Sequence, residues 1–218
     1  MQAQATVGQL LDARLAAACR GAAVLEQLGV AEAQAVVLAK EAEAKRIEAT
    51  EPTQVGRMLA ALRLVQHEVR YLGVETGRNT HAPNPPDQVF ASRFGDCKDK
   101  ALLTMALLRR LGVEAHAALL NTRTQRGVAE RLPNPAAFDH VIVQARIGAR
   151  HWWLDPTRPT QEADADHLYQ PDYGFSLVVA PQSHGLVPMR NAGSLSRREV
   201  HVVMDARKVR FVDPEHVP

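Results

Sequence analysis

Cys97 stands in the run Arg93-Phe94-Gly95-Asp96-Cys97-Lys98-Asp99-Lys100, immediately before a strongly apolar helical pattern. A histidine, His140, and an aspartate, Asp155, follow in what reads as one β-hairpin. A thiol, an imidazole and a carboxylate are the parts that nucleophilic acyl transfer needs: a nucleophile, a base that carries its proton, and a group that orients the base. Each residue alone has an ordinary explanation. A lone cysteine is most often an inert buried thiol, a lone histidine a core residue bonded to backbone, and an aspartate before proline a turn carboxylate. The chemistry rests on their coming together.

The segment around Cys97 predicts a helix start. Asp96 sits where an N-cap belongs and Asp99 at the third helical position, the spacing of a capping box with Asp in place of Glu or Gln. Cys97 is then the first helical residue, where free N–H groups and the positive end of the helix dipole favour a thiolate. The same N–H groups suit an oxyanion on the attacked acyl carbon. Gly95, just before the cap, suggests close approach of a substrate. Ala101, Leu102, Met105, Leu108 and Leu111 form the apolar stripe, and Gly112 closes the helix as its C′ residue.

Phe138 to Ile147 alternates as a half-buried strand, and His151 to Asp155 returns from a turn near Gly148. A turn centred on Ile147-Gly148 places His140 directly opposite Asp155 with both side chains on one face. A register shifted by two residues keeps them on one face as diagonal neighbours; a shift of one separates them. In the first two registers the carboxylate orients one ring nitrogen while the other meets Cys97, within about 4 Å of its sulfur. His151 falls near the turn, far from Asp155, while Trp152 and Trp153 read as sheet core and cover over the site.

The elements that carry these residues are helical first and extended afterwards. Leu10 to Leu28, Ala31 to Ala49 and Met58 to Val69 read as three helices, broken at Gly29 and at Glu51-Pro52. Thr76 to Asp87 is a loop rich in proline, Val113 to Asn121 a strand, and Thr122 to Ala137 a polar excursion. Ser176 to Ala180 and Glu199 to Val212 again look extended. Helices followed by antiparallel strands indicate an α+β fold, with the helical N-terminal part packed on an antiparallel sheet. The division expected along the chain is a helical segment over 1–50, a catalytic core over 51–190 and a C-terminal β extension over 191–218.

Composition narrows the function classes. The chain has 218 residues, 26 basic and 24 acidic side chains and a net charge of +2, which points to no nucleic-acid surface. Its two cysteines, Cys19 and Cys97, make neither a disulfide framework nor a zinc site. No apolar run reaches the roughly 18–20 residues of a membrane span, and Met1-Gln2-Ala3-Gln4 shows no export signal. No clustered ligands suggest a metal, so a metal-dependent hydrolase ranks last and no cofactor is expected.

The three segments together resemble the transglutaminase-like superfamily, a papain-like fold group, from about Leu62 to Val187. One bacterial branch carries Tyr-Gly-Asp-Cys-Lys-Asp-Lys-Ala where this chain has Phe94 to Ala101. Phe138-Asp139-His140 and Trp153-Leu154-Asp155-Pro156-Thr157 match its next two segments, and Val69-Arg70-Tyr71 and Pro171-Asp172-Tyr173-Gly174 also agree with it. The resemblance implies Cys97 as nucleophile, His140 as base and Asp155 as orienter. It also implies an oxyanion donor upstream of the cysteine, for which Gln66 is the candidate. The calcium sites of animal transglutaminases have no recognisable counterpart, and Asp164 and Asp166 read as a solvated loop. By resemblance the partner is a protein or peptide amide and the setting a longer, exported protein, periplasmic or extracellular. A catalytically idle binding or scaffold module of the same fold is the alternative.

Overall fold

The computed structural model describes residues 38–73, 82–132, 134–181 and 183–189. The expected helix over Leu10 to Leu28 and the extended run over Glu199 to Val212 lie outside them. Helix α1 (Leu38–Thr50) precedes α2 (Gln54–Glu68), whose N-cap is Thr53. A short strand β1 (Arg70–Tyr71) follows. After the loop come α3 (Pro86–Ser92), β2 (Phe94–Gly95) and α4 (Cys97–Arg110). The remaining elements are strands: β3 (Glu114–Leu120), β4 (His140–Ile147), β5 (Arg150–Leu154), β6 (Phe175–Val178) and β7 (Leu186–Pro188).

Strands β3 to β7 form one antiparallel sheet in the order β5-β4-β3-β6-β7. Helices first and an antiparallel sheet afterwards make the chain α+β, as its pattern indicates. Two features lie beyond the pattern. Strands β1 and β2 pair in parallel, Arg70 with Phe94 and Tyr71 with Gly95. Helix α3 begins at Pro86, in the first turn where a missing N–H costs nothing.

Helix α4 is the centre of the molecule. It packs against α2, α3, β3 and β4, so Cys97 and every residue from Asp99 to Leu108 are buried. An apolar stripe therefore understates its burial: a helix enclosed on all sides is buried all round. Leu103, Met105, Leu107 and Leu108 meet Met58, Leu62 and Val65 of α2 and Val141, Val143 and Leu154 of the sheet in one core, which also takes Ala44 and Ile47 from α1. Each fully buried Leu contributes about 1.5–3 kcal/mol relative to exposure. The opposite sheet face carries a second cluster of Ala118, Leu120, Ile142, Trp153, Val178 and Met189. The two tryptophans thus serve opposite faces, as neighbours in a strand must.

Candidate active site

Local backbone chemistry sets the start of α4. Asp96 Oδ1 accepts hydrogen bonds from the N–H groups of Lys98 (2.8 Å) and Asp99 (3.2 Å). Asp99 Oδ2 accepts from the Asp96 N–H at 3.1 Å, which completes the capping box. Lys98 Nζ pairs with Asp96 Oδ2 at 2.7 Å. Asp99 also accepts from the N–H and side-chain amide of Asn84, at 2.6 and 3.2 Å, pinning the proline-rich loop to the helix. Gly95 has a structural reason here. A Cβ at this position would lie 2.7 Å from the Asp99 Cβ, so the box closes only over glycine.

Cys97 follows the cap and is 5% exposed. With the N–H groups of Lys98 and Asp99 turned to Asp96, that of Cys97 is the donor at this helix start with no partner among the described residues.

The hairpin differs in register from the directly opposed pairing. Ile147 pairs with Arg150 and Val143 with Leu154, so the turn centres on Gly148-Ala149. Gly148 takes φ 61°, the left-handed backbone that a two-residue hairpin turn demands. Continued by one step, this register sets Asp155 opposite Ile142 and diagonal to His140. Parity is preserved, and the side chains meet: His140 Nε2–H donates to Asp155 Oδ2 at 3.1 Å. The Cys97 thiol lies close enough to the imidazole to raise its pKa. Nδ1 is the ring nitrogen left for it.

Asp155 is held on every side. Its Oδ1 accepts from Thr157 N–H at 2.9 Å and Thr157 Oγ1–H at 2.6 Å. Its main-chain carbonyl accepts from Gln66 Nε2 at 3.0 Å. Gln66, the expected oxyanion donor, is buried on α2 with its amide fully engaged. Its second N–H goes to Gln161 Oε1 and its oxygen accepts from Gln161 N–H, both at 3.0 Å. Thr157 and Gln161 escaped the sequence reading. Thr157 lies inside the aspartate segment, two residues past Asp155, which was its visible signal.

Electrostatics couple these groups. Burial disfavours a charged His140, but the hydrogen bonds to Asp155 and Cys97 outweigh it, raising its pKa from 6.5 to about 10. Burial opposes ionisation of Asp155 too; the bonds from His140 and Thr157 prevail and lower its pKa. The imidazolium and carboxylate therefore stabilise one another. His151 pairs with Arg146 far along the hairpin and packs edge-on to Trp153. Asp166 pairs with Arg150, and Asp164 caps its own loop at His167. Among the described residues no group of three or more potential ligands gathers for a metal, and no helix is long and apolar enough to cross a membrane.

Residues 41–171 match the family model of the transglutaminase-like superfamily, over more than half of the chain. The chain belongs to this superfamily. Two solved structures are similar to it. A putative protease from Parabacteroides distasonis aligns with a TM-score of 0.54 at 10% identity, covering 87% of this chain and 32% of that one. A putative cysteine protease from Cytophaga hutchinsonii aligns with a TM-score of 0.37 at 20% identity, covering 57% and 41%. The first likeness concerns the fold alone. This transglutaminase-like chain spans about a third of the length of the Parabacteroides protein and under half of the Cytophaga one. None of the curated proteins matches it.

Proposed function

We propose that the chain is a cysteine acyl-transfer enzyme acting on protein or peptide amides through Cys97, His140 and Asp155. The observation that carries this reading is the buried hydrogen bond between His140 and Asp155, beside a thiol at a capped helix start that helps to raise the pKa of the imidazole. Membership of a cysteine-enzyme superfamily supports it.

The thiolate of Cys97 attacks the amide carbon, and the carbonyl electrons move onto oxygen. The Cys97 N–H at the helix terminus receives that oxyanion. The C–N bond then breaks as protonated His140 gives its proton to the leaving amine, leaving a thioester on Cys97. Water or a second amine attacks the thioester, His140 takes back a proton, and the C–S bond breaks. Water gives hydrolysis or deamidation; an amine gives transamidation. Asp155 keeps the ring oriented and charged, while Gln66 and Thr157 hold Asp155 in place.

Iodoacetamide alkylation of Cys97, read by peptide mass spectrometry, tests the pairing. His140→Ala should slow alkylation at pH 7 by at least about 10-fold, with Cys19 as internal reference. Equal rates in the two proteins would remove the ion pair from the mechanism and favour the idle binding module.

A further inference from the structure

Asp155, bonded to His140, also opens a β-turn. Pro156 follows at the second position, where its fixed φ suits the turn, and the Arg158 N–H donates back to the Asp155 carbonyl at 3.4 Å. The Cα atoms at the two ends of such a turn lie within about 7 Å of each other. Arg158 is thereby fixed beside the carboxylate that holds the candidate base.

The chain beyond the turn is tied down so that it returns to Arg158. Arg63 of α2 donates to three successive main-chain carbonyls, those of Gln161, Glu162 and Ala163, at 2.9, 3.0 and 2.9 Å. Gln161, already bonded to Gln66, donates through Nε2 to the Tyr169 carbonyl at 2.7 Å. The centre of the Tyr169 ring lies 5.0 Å from the Arg158 guanidinium carbon, a cation–π contact. Tyr169 is 41% exposed and Arg158 half-buried, so the pair reaches solvent.

A guanidinium stacked by its face keeps its N–H groups, which lie in its plane, for other partners. Those of Arg158 meet no acceptor among the described residues. The acids of the neighbouring loop are committed elsewhere. Glu162 lies 3.8 Å from Arg63, Asp164 bonds His167, Asp166 pairs with Arg150 and Asp172 with Arg126. A planar fork of donors, already oriented and lacking an anion, matches a carboxylate.

We propose that Arg158, on its Tyr169 platform, binds a carboxylate of the substrate next to the attacked amide, from an acidic side chain or from the end of a peptide. It makes the site selective for acidic peptides. Its part in the reaction rests on the function proposed above; the binding of a carboxylate does not.

NMR titration of the Cys97→Ala chain, where no thioester forms, tests this with two probes. Acetyl-Gln-Glu-amide carries a side-chain carboxylate and acetyl-Gln-Gly a terminal one; each is compared with its uncharged amide counterpart. At least one acid should bind about 5-fold more tightly than its counterpart and shift the Arg158 Nε and Tyr169 ring signals; which one does so identifies the source. The preference should vanish in Arg158→Gln and weaken in Arg158→Lys, which keeps the charge and loses the fork. Equal affinities, no binding at millimolar concentration, or a preference that survives Arg158→Gln overturns the proposal and leaves Arg158 a staple of its own loop. Should Arg158→Gln not fold, the Arg158 Nε signal decides: a shift with acid alone supports the site, and an unmoved signal overturns it. An acid preference that depends on Arg158, beside Cys97 alkylation indifferent to His140→Ala, would sink the enzymatic reading and leave the carboxylate site standing.

Discussion

The two halves of the site are built by opposite means. On the helix side, Asp96, Lys98 and Asp99 are joined around Cys97 by bonds between residues two or three positions apart. On the strand side, His140 is bonded to Asp155 across 15 residues, and Asp155 to Gln66 across 89. The capping box that sets Cys97 at the helix start closes within one turn of helix. The strand side acquires its geometry only when the sheet and α2 have come together. A nucleophile held locally and a base held by tertiary contacts should therefore respond differently to damage.

The largest difference should appear with pH. Folding favours the His140 imidazolium, so that contribution is complete below pH 6.5 and disappears as pH rises to about 10. Unfolding free energy should fall across that window by on the order of 3–4 kcal/mol more in the parent than in His140→Ala. Parallel pH profiles for the two proteins would break the coupling on the strand side.

Next comes Asp155→Asn, which keeps a hydrogen-bonding side chain and removes the charge. The His140 titration should drop towards its ordinary range, and Cys97 alkylation should slow by about 10- to 100-fold. NMR of the His140 ring and labelling kinetics read the two effects separately. Gln66→Leu then asks whether that side chain holds Asp155. It leaves the Gln161 N–H and the Asp155 carbonyl without partners, at a cost of about 1–3 kcal/mol in denaturant unfolding. Its iodoacetamide rate should fall about threefold, because a less firmly held Asp155 orients His140 less well. The smallest effect belongs to the helix side. Asp96→Ala should lose about 1 kcal/mol for its cap while leaving the His140 titration unmoved. A shifted titration there would show the two halves to be coupled after all.

What could be read along the chain follows the same division. The cap at Asp96, the box with Asp99 and the stop at Gly112 were legible because each depends on neighbours within one turn. The hairpin was legible in parity, since alternation decides which face a strand residue takes, but not in register. A turn at Gly148-Ala149 rather than Ile147-Gly148 shifts the pairing without disturbing the alternation of Val141, Val143 and Ala145. Gln66 stood out as an amide near the right place, yet no local pattern shows which partner a side chain finds at such a separation. The parallel pairing of β1 with β2 escaped notice because two-residue strands carry no period.

By itself, the amino-acid sequence determined the α+β order of elements, the capped helix start at Cys97 and the shared face of His140 and Asp155. Those are matters of short-range hydrogen bonding and of a period of two along a strand. Tertiary structure alone decided that Asp155 lies diagonal to His140, that Gln66 holds its carbonyl, and that Lys100 is buried against the carbonyl of Val69. The reason is physical: a side chain's partner across the fold, and the charge it must offset there, depend on packing that no local pattern encodes.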